Sequence, residues 1–311
     1  MTLPRLRARA RALERVRRFF AQRDVLEVQT GVLVKHAVSD PNIESFEVRG
    51  ANEPRYLHTS PEYAMKRLLA EGSGDIYQLG PVFRAGERSA QHSPEFTLIE
   101  WYRLGFDLEA LMQETAALVR EVMDDAVPAE PERVDYRGAF LRELAIDPLE
   151  CPHADLASAS SRAGLAASSI ATASRDDLLD FLVATVVGPR LGHDRLTCLH
   201  RYPASQASLA RLDPQDARVA LRFELYGRGV ELANGFVELG DPSEQRRRFE
   251  ADNALRAKRG QPVRAIDELL LAELGGLPPC AGVAVGFDRV LMLATDAARI
   301  EAVQSHRFDS H

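Results

Sequence analysis

A polar segment between two strand-like runs holds the densest group of reactive side chains in this sequence. Residues 80–103 are GPVFRAGERSAQHSPEFTLIEWYR; Arg84 ends the first run, and an eleven-residue polar loop follows it. Because side chains alternate along a strand, one face of the second run carries Phe96, Leu98, Glu100 and Tyr102. Polar groups among apolar neighbours predict a pocket wall. A cross-strand Arg–Glu pair on a solvent-facing sheet is the alternative.

A second group of candidates contains two carboxylates in the stretch RGVELANGFVELGD. Glu231 and Glu238 are seven residues apart, so a straight strand would point them to opposite faces. Asn234-Gly235 between them is a turn or bulge signal, and one added residue restores a common face. Two converging carboxylates suit Mg²⁺ held together with nucleotide phosphates. A solvated hairpin, or acids paired with surplus arginines, remain alternatives.

A third group lies where AGVAVGFDRVLMLA passes from strand to helix. The apolar strand stops at Gly286, Asp288 is placed to cap the helix, and Arg289 falls in its first turn. A cation there opposes the helix dipole, which makes sense if an anion binds at the same N-terminus. An ordinary surface arginine is the alternative.

A fourth group, Ser60-Pro61-Glu62, begins another predicted helix. Proline in a first turn is a helix start signal. Glu62 there either favours the helix dipole or faces an amine-bearing substrate.

The elements that position these groups follow from the hydrophobic periodicity. Predicted helices span residues 5–23, 62–72, 108–125 and 243–260, and predicted strands span 25–34, 76–84, 96–106 and 222–239, with a strand passing into a helix over 281–294. Residues 126–195 predict a helical insertion. Strand pairs joined by short polar loops indicate an antiparallel sheet with helices against it, an α+β fold.

Composition limits the function classes. The 311 residues include 39 Lys+Arg and 46 Asp+Glu, a formal charge of −7, which argues against coating nucleic acid by bulk charge. The three cysteines form no C-x-x-C pair, which argues against a structural zinc site. Because no apolar run approaches the ~18 residues of a membrane span, we expect a cytoplasmic protein. The Arg-rich start predicts a structural helix, with a transit peptide as the alternative.

In combination, these motifs resemble the catalytic domain of class II aminoacyl-tRNA synthetases, lysyl branch. FRAGERSAQHSPEFTLIEWYR is similar to the family's second motif, GVAVGFDRVLML to its third, and ELANGFVEL to the lysyl-type acidic motif. The resemblance covers nearly the whole chain and implies one catalytic domain over 1–311. The first-motif helix begins within ten residues, so we expect no anticodon-binding OB domain. TSPEYAMKRLL and YPASQASLA are similar to the elongation factor P lysine ligase family of free-standing lysyl paralogues.

The resemblance implies a role for each matching residue in binding ATP. Arg84 would bind the α-phosphate and stabilise the charge that grows during attack, and Arg289 would hold the γ-phosphate; these two are the expected catalytic residues. Glu231 with Glu238 would position Mg²⁺ and the nucleotide. The remaining expected ATP contacts are Gly86, Glu87, Ser93, Phe96, Leu232 and Gly286.

The amino-acid substrate would be surrounded by a second implied set: Ser60, Pro61, Glu62, Tyr102, Glu238 and Ala284. Carboxylates suit a long diamino acid, because its distal ammonium needs a partner. Lysyl-tRNA synthetases tend to have Gly where Ala284 stands. We expect the added methyl group to favour β-lysine over α-lysine, with simple strand packing as the alternative.

Three residues depart from the family pattern. The resemblance also implies a homodimer, and Gly31, which replaces a proline of the first motif, weakens that implication. Gly86 stands where many lysyl enzymes have Glu, with Glu87 next to it, and Ser93 replaces a common Asn.

The predicted activity is a two-step ligase reaction. ATP and (R)-β-lysine, with Mg²⁺, give an aminoacyl-adenylate, and a lysine side chain of elongation factor P then accepts the aminoacyl group. The alternatives are a truncated lysyl-tRNA synthetase that charges tRNA or another carrier, against which the acidic charge counts, and a non-catalytic regulatory paralogue.

Overall fold

The computed structural model of this chain describes residues 2–50, 53–124 and 130–305. The helices are α1 (Leu3–Ala21), α2 (Glu62–Ala70), α3 (Leu108–Met123), α4 (Tyr136–Leu144), α5 (His153–Arg162), α6 (Ala167–Ile170), α7 (Arg175–Leu182), α8 (Pro242–Lys258), α9 (Glu268–Leu274) and α10 (Phe287–Ala294). The strands are β1 (Leu26–Glu27), β2 (Leu33–Val34), β3 (Glu47–Val48), β4 (Arg55–Leu57), β5 (Ile76–Phe83), β6 (Glu95–Leu104), β7 (Glu132–Asp135), β8 (Thr197–His200), β9 (Arg222–Gly227), β10 (Val230–Val237) and β11 (Cys280–Gly286).

An eight-stranded sheet forms the centre of the fold, in the order β1-β5-β6-β11-β10-β9-β8-β7. Every neighbouring pair is antiparallel except β1 with β5 and β7 with β8. Strands β2, β4 and β3 form a small antiparallel sheet. The predicted α+β fold with an antiparallel sheet is confirmed, and neither sheet of the described residues is a closed barrel.

The main hydrophobic core lies between one face of the large sheet and helices α1, α3 and α10. Phe20 of α1 stacks on Tyr77 of β5 at 4.2 Å and meets Trp101 of β6 edge-on at 5.3 Å. Helical spacing predicts an apolar stripe of Leu6, Ala10, Leu13, Val16, Phe19 and Phe20 along α1, and the last three are buried as predicted. In its first half Leu6 is exposed, and Ala12 is buried instead.

The opposite face of the same strands carries polar side chains. Ile99 and Trp101 of β6 are in the core, whereas Glu100 and Tyr102 point to the other side of the sheet, where helices α2 and α8 cover them. Strand alternation therefore separates a structural face from a face available for chemistry.

The predicted helical insertion near 126–195 is partly wrong. Its first residues, 126–129, lie outside the described residues. Beyond them β7 is a strand of the main sheet, paired with β8, and helices α4, α5 and α7 follow around a separate core that includes Tyr136 and Leu178. The single domain over 1–311 stays a prediction.

The single strand predicted over 25–34 is two short strands in different sheets. β1 joins the large sheet and β2 the small one. Between them the Thr30 backbone N–H donates to the Gln78 side-chain oxygen at 2.7 Å instead of to a neighbouring strand. This side-chain contact ends the first pairing and lets the chain change sheets.

The bulge predicted at Asn234-Gly235 is misplaced. The register shift in β10 lies between Glu231 and Ala233, and Gly235 sits inside the regular ladder. A Cβ at Gly235 would lie 2.7 Å from atoms of both Phe223 and Val283, so close packing requires the glycine.

Asp288 does not cap α10 with its side chain, contrary to the prediction. Its carboxylate accepts the Thr97 backbone N–H at 2.9 Å and pairs with Arg9 of α1. It therefore joins α10 to β6 and α1.

Among the described residues, no helix has both the length and the apolar character needed to cross a bilayer.

Gly235→Ala is expected to lower the free energy of unfolding by about 1–3 kcal/mol, because the methyl group overpacks the core. Urea unfolding measures the change. Gly80→Ala in β5 is the matched control, since its nearest neighbour would be 3.8 Å away. Equal effects of the two substitutions would contradict the packing argument.

Candidate active site

Two cavities open on the polar face of the large sheet. The larger, about 430 Å³, lies between the sheet and helices α2 and α8. The smaller, about 140 Å³, lies between the 84–96 segment and the start of α10. Four residues line both cavities: Ile43, Arg84, Asn234 and Ala284. The cavities therefore meet at a shared junction.

Strand register builds the junction. Glu100 of β6 is paired with Ala284 of β11, Ala284 with Asn234 of β10, and Asn234 with Glu224 of β9. We call these four residues the polar row. The next row on the same face runs through Tyr102, Gly282, Phe236 and Arg222. Paired residues point to the same side of a sheet, so both rows face the cavities.

At one end of the larger cavity, which we call the deep end, two lining carboxylates share a buried ammonium behind them. The Nζ atom of Lys66 lies 2.7 Å from Glu62 and 2.7 Å from Glu238, and its side chain is 1% exposed. Glu62 and Lys66 meet because they are four residues apart on α2. Burial disfavours the charged ammonium, but the Glu238 and Glu62 carboxylates outweigh it and hold the pKa of Lys66 above its ordinary value.

Glu100 is a third carboxylate in this end of the cavity. It accepts hydrogen bonds from the hydroxyls of Ser60 and Tyr102, each at 2.7 Å. Burial, followed by the nearby charge of Glu62, raises the pKa of Glu100 to about 7. Its ionised form therefore gains from any cation that enters the cavity.

The net charge of the side chains at this end favours a ligand with two positive charges. Three carboxylates face one ammonium, which leaves two negative charges when Glu100 and Glu238, whose pKa values burial raises to about 7 and about 8, are both ionised. Gly282 keeps the space open, because a Cβ there would lie 2.4 Å from Tyr102 and 2.5 Å from Glu238. A buried charge needs a partner, so a ligand with two ammonium groups fits this end.

Arg84 brings positive charge to the junction. Its Nε donates to the Thr59 carbonyl at 3.3 Å, and its guanidinium lies over the Phe96 ring at 5.2 Å. Glu87 lies 3.6 Å from Nη1. These contacts hold the Arg84 guanidinium at the junction of the two cavities.

The smaller cavity carries a second arginine at the first turn of α10. Arg289 donates to the Glu231 carbonyl at 3.0 Å, to its carboxylate at 3.3 Å and to the His92 ring nitrogen at 2.7 Å. Burial and the Arg289 charge lower the pKa of His92, which keeps the ring a neutral acceptor. A cation beside a helix N-terminus makes this end suitable for phosphate groups.

Glu231 and Glu238 do not form one metal site, contrary to the prediction. Glu231 is the second residue of β10 and Glu238 directly follows its last residue, so about 20 Å of extended chain separates them at the usual rise per residue. Glu231 lines the smaller cavity, and Glu238 pairs with Lys66 in the larger. The carboxylate that interacts with Glu231 is Glu224, whose pKa is raised by burial and by the Glu231 charge.

Comparison with known proteins identifies the family. Residues 2–307 match the family of class II tRNA synthetases (D, K and N). The chain is 47% identical over 302 residues to an elongation factor P–(R)-β-lysine ligase of Yersinia pestis (strain Pestoides F), covering 95% of this chain and 92% of that protein. The ligase of the same name from Yersinia pseudotuberculosis serotype O:1b (strain IP 31758) matches to the same extent.

The chain belongs to the class II tRNA synthetases, in the elongation factor P–(R)-β-lysine ligase family. The resemblance inferred from the sequence motifs is thereby confirmed. The family motifs supply Arg84 and Arg289, the two arginines that line the smaller cavity.

Most residues that the family resemblance implicates line the cavities. The smaller cavity includes Glu87, Ser93, Phe96, Leu232 and Gly286. The larger includes Ser60, Glu62, Tyr102 and Glu238. Their roles stay predictions.

Two implicated residues lie elsewhere. Gly86 is exposed, with φ at +83°, and lines neither cavity, so Glu87 is the one of the two that lines the smaller cavity. Pro61 lines a separate cavity behind the Ser60–Glu62 segment. Gly31, which replaces the first-motif proline, lines that separate cavity as well.

The sequence analysis did not identify four residues of this region. It gave no role to Lys66, Arg222 or Glu224, and it treated Asn234 only as a turn signal. Lys66 is one of three lysines in the chain, and its spacing from Glu62 was an available signal. Glu224, Glu231 and Glu238 recur at intervals of seven, which was available too. The Arg222 contacts depend on strand register and had no such signal.

Lys66→Met is expected to lower the free energy of unfolding by about 3–5 kcal/mol, because two buried carboxylates lose their shared cation. Urea unfolding measures the loss. Lys258→Met, at the exposed end of α8, is the matched control. A loss no larger than in the control would show that the cation does not hold these carboxylates.

Binding of a diamino acid is expected to release a proton from Glu100 near pH 7. The carboxyl is half protonated near its raised pKa of about 7, and a bound ammonium favours the ionised form, so affinity rises with pH through that value. Calorimetry in two buffers of different ionisation enthalpy counts the proton. Glu100→Gln should reduce the release, and Glu238, whose pKa burial raises to about 8, accounts for the remainder. An unchanged release in this variant would exclude Glu100 as its source.

Proposed function

We propose that this protein is an ATP-dependent ligase that activates (R)-β-lysine and transfers it to a lysine side chain of elongation factor P. The observation that carries the proposal is the junction: Arg84 lines both an acidic cavity and a cavity with an arginine at a helix N-terminus. The named relatives supply the identity of the amino acid and of the acceptor.

The nucleotide occupies the smaller cavity. Phe96 and Leu232 contact the adenine, and Arg289 holds the γ-phosphate beside the start of α10. The His92 and Glu231 contacts of Arg289 keep its guanidinium in the cavity before the phosphate arrives. The α-phosphate then lies at the junction, next to Arg84.

The amino acid occupies the larger cavity with its distal ammonium at the deep end and its second ammonium, which is closer to the carboxylate, between that end and the junction. Glu62, Glu100 and Glu238 carry the negative charge that these groups require. The carboxylate reaches the junction, where Ala284 separates Glu100 from Asn234 along the polar row. A mono-amino acid would leave buried negative charge unmatched, so the cavity selects diamino acids.

Arg84 promotes adenylate formation by bringing two anions together. The carboxylate oxygen attacks the α-phosphorus, and pyrophosphate leaves. Fixed orientation and a cation aimed at the developing charge supply the acceleration. In the second step a lysine ε-amine of the acceptor protein attacks the activated carbonyl, and AMP leaves.

Magnesium ion fits the acidic side of the smaller cavity. Glu231 and Glu224 would hold it, because Mg²⁺ is usually bound by one or two carboxylates together with phosphate oxygens and water. The ion, when bound, neutralises phosphate charge during the displacement.

A homodimer is part of the proposal. Leu26 of β1, at the edge of the large sheet, is 57% exposed, and Leu33 of the neighbouring β2 is 53% exposed. A second copy would cover both side chains.

A protein that modifies a translation factor works in the cytoplasm, and tRNA is not its acceptor.

Intact-protein mass spectrometry of elongation factor P, after incubation with this protein, ATP, Mg²⁺ and each lysine isomer, tests the proposal. We expect the mass gain of one lysyl group, largest with (R)-β-lysine. Charging of tRNA with unmodified elongation factor P would favour the lysyl-tRNA synthetase alternative. Absence of both products would contradict the ligase assignment.

Arg84→Met is expected to slow lysine-dependent exchange of pyrophosphate into ATP by about 10²–10³-fold, the usual loss when one group that stabilises transition-state charge is removed. Arg228→Met is the matched control, since Arg228 is an exposed arginine paired with Asp296 outside both cavities. Similar rates for the two variants would remove Arg84 from the reaction.

A further inference from the structure

The side-chain amide of Asn234 occupies the centre of the junction. Asn234 lines both cavities and stands in the polar row between Ala284 and Glu224. Its Oδ1 accepts a hydrogen bond from Nε of Arg222 at 3.0 Å. Arg222 is on β9, opposite Phe236, one diagonal step from Asn234.

This contact determines which way the amide points. An arginine side chain carries hydrogen-bond donors and no acceptor. The Asn234 atom that faces Arg222 must therefore be the carbonyl oxygen, and the NH₂ group points away from Arg222. The amide presents a donor, not an acceptor, to the junction.

Arg222 is itself held on three sides. Its Nη1 donates to the Gln206 carbonyl at 2.8 Å, and its Nη2 donates to the Glu224 carboxylate at 2.7 Å. The guanidinium lies over the Tyr202 ring at 4.4 Å, and the side chain is only 17% exposed. The arginine has little freedom to let the amide turn.

We propose that Arg222 is a positioning residue, which fixes the Asn234 amide so that its NH₂ group donates to the anionic oxygens joined at Arg84. This inference rests on the proposed function, because it assigns the carboxylate and the α-phosphate to the junction. A reversed amide would present its oxygen to those anions and repel them. Arg222 removes that orientation before the ligands arrive.

A double-mutant cycle in pyrophosphate exchange with (R)-β-lysine tests this role. Asn234→Ala should lose about 10²-fold, the lower end for a lost oxyanion donor. Arg222→Lys should lose about tenfold, because one ammonium cannot hold the Gln206 carbonyl, the Glu224 carboxylate and the Asn234 amide as the three guanidinium nitrogens do, and the amide is then free to turn. In the Asn234→Ala background, Arg222→Lys should cost nothing further. Arg218→Lys, at an exposed surface arginine, is the control for the exchange itself.

Asn234→Asp gives a second test that leaves Arg222 intact. The carboxylate still accepts from Arg222, so the fold retains the contact, but an oxygen replaces the NH₂ group at the junction. This variant should lose at least as much exchange as Asn234→Ala. Activity above that of Asn234→Ala would overturn the donor assignment.

The Mg²⁺ requirement separates this role from an effect through Glu224, which Arg222 also contacts. We expect Arg222→Lys to leave the Mg²⁺ concentration for half-maximal exchange unchanged. Losses that multiply in the double variant, or a raised Mg²⁺ requirement, would overturn the positioning role while the ligase assignment stands. Wild-type protein that exchanges pyrophosphate with no lysine isomer would overturn the proposed function and this inference with it.

Discussion

The hydrogen-bonded register of β6, β11, β10 and β9 decides which side chains meet at the junction of the two cavities. Register partners point to the same side of a sheet, so Glu100, Ala284, Asn234 and Glu224 form one row although they come from distant parts of the chain. A slip of one residue in any pair would send half of them into the core. The helices that cover the sheet add Glu62 and Lys66 from α2 and Arg289 from α10.

Charged side chains give the two cavities opposite electrostatic character at their two ends. The deep end of the larger cavity holds more carboxylate than ammonium, and burial, followed by the Glu62 charge, raises the pKa of Glu100. At the other end, Arg84 and Arg289 face the space for phosphates. A diamino acid with a distal ammonium at one end and a carboxylate at the other matches this gradient, and the carboxylate then meets the nucleotide at the positive end.

Sequence patterns predicted the elements that carry strong periodicity and the motifs that carry charge. The second and third motifs gave Arg84 and Arg289 together with the strands and helix that hold them. The acidic stretch gave Glu231 and Glu238 but paired them wrongly, because the position of a bulge depends on packing between strands. Gly235 fills a tight gap between Phe223 and Val283 rather than making a turn. Arg222 and Asn234 became visible only through cross-strand contacts.

A crystal structure of the protein with Mg²⁺, a non-hydrolysable ATP analogue and (R)-β-lysine would show whether the two anions meet at Arg84. The α-phosphate and the substrate carboxylate should both lie within hydrogen-bonding distance of the Arg84 guanidinium, about 3 Å. The two ammonium groups should lie among Glu62, Glu100 and Glu238. Nucleotide bound away from Arg289, or a substrate carboxylate directed toward Lys66 instead of Arg84, would show that the two ligands do not meet at Arg84.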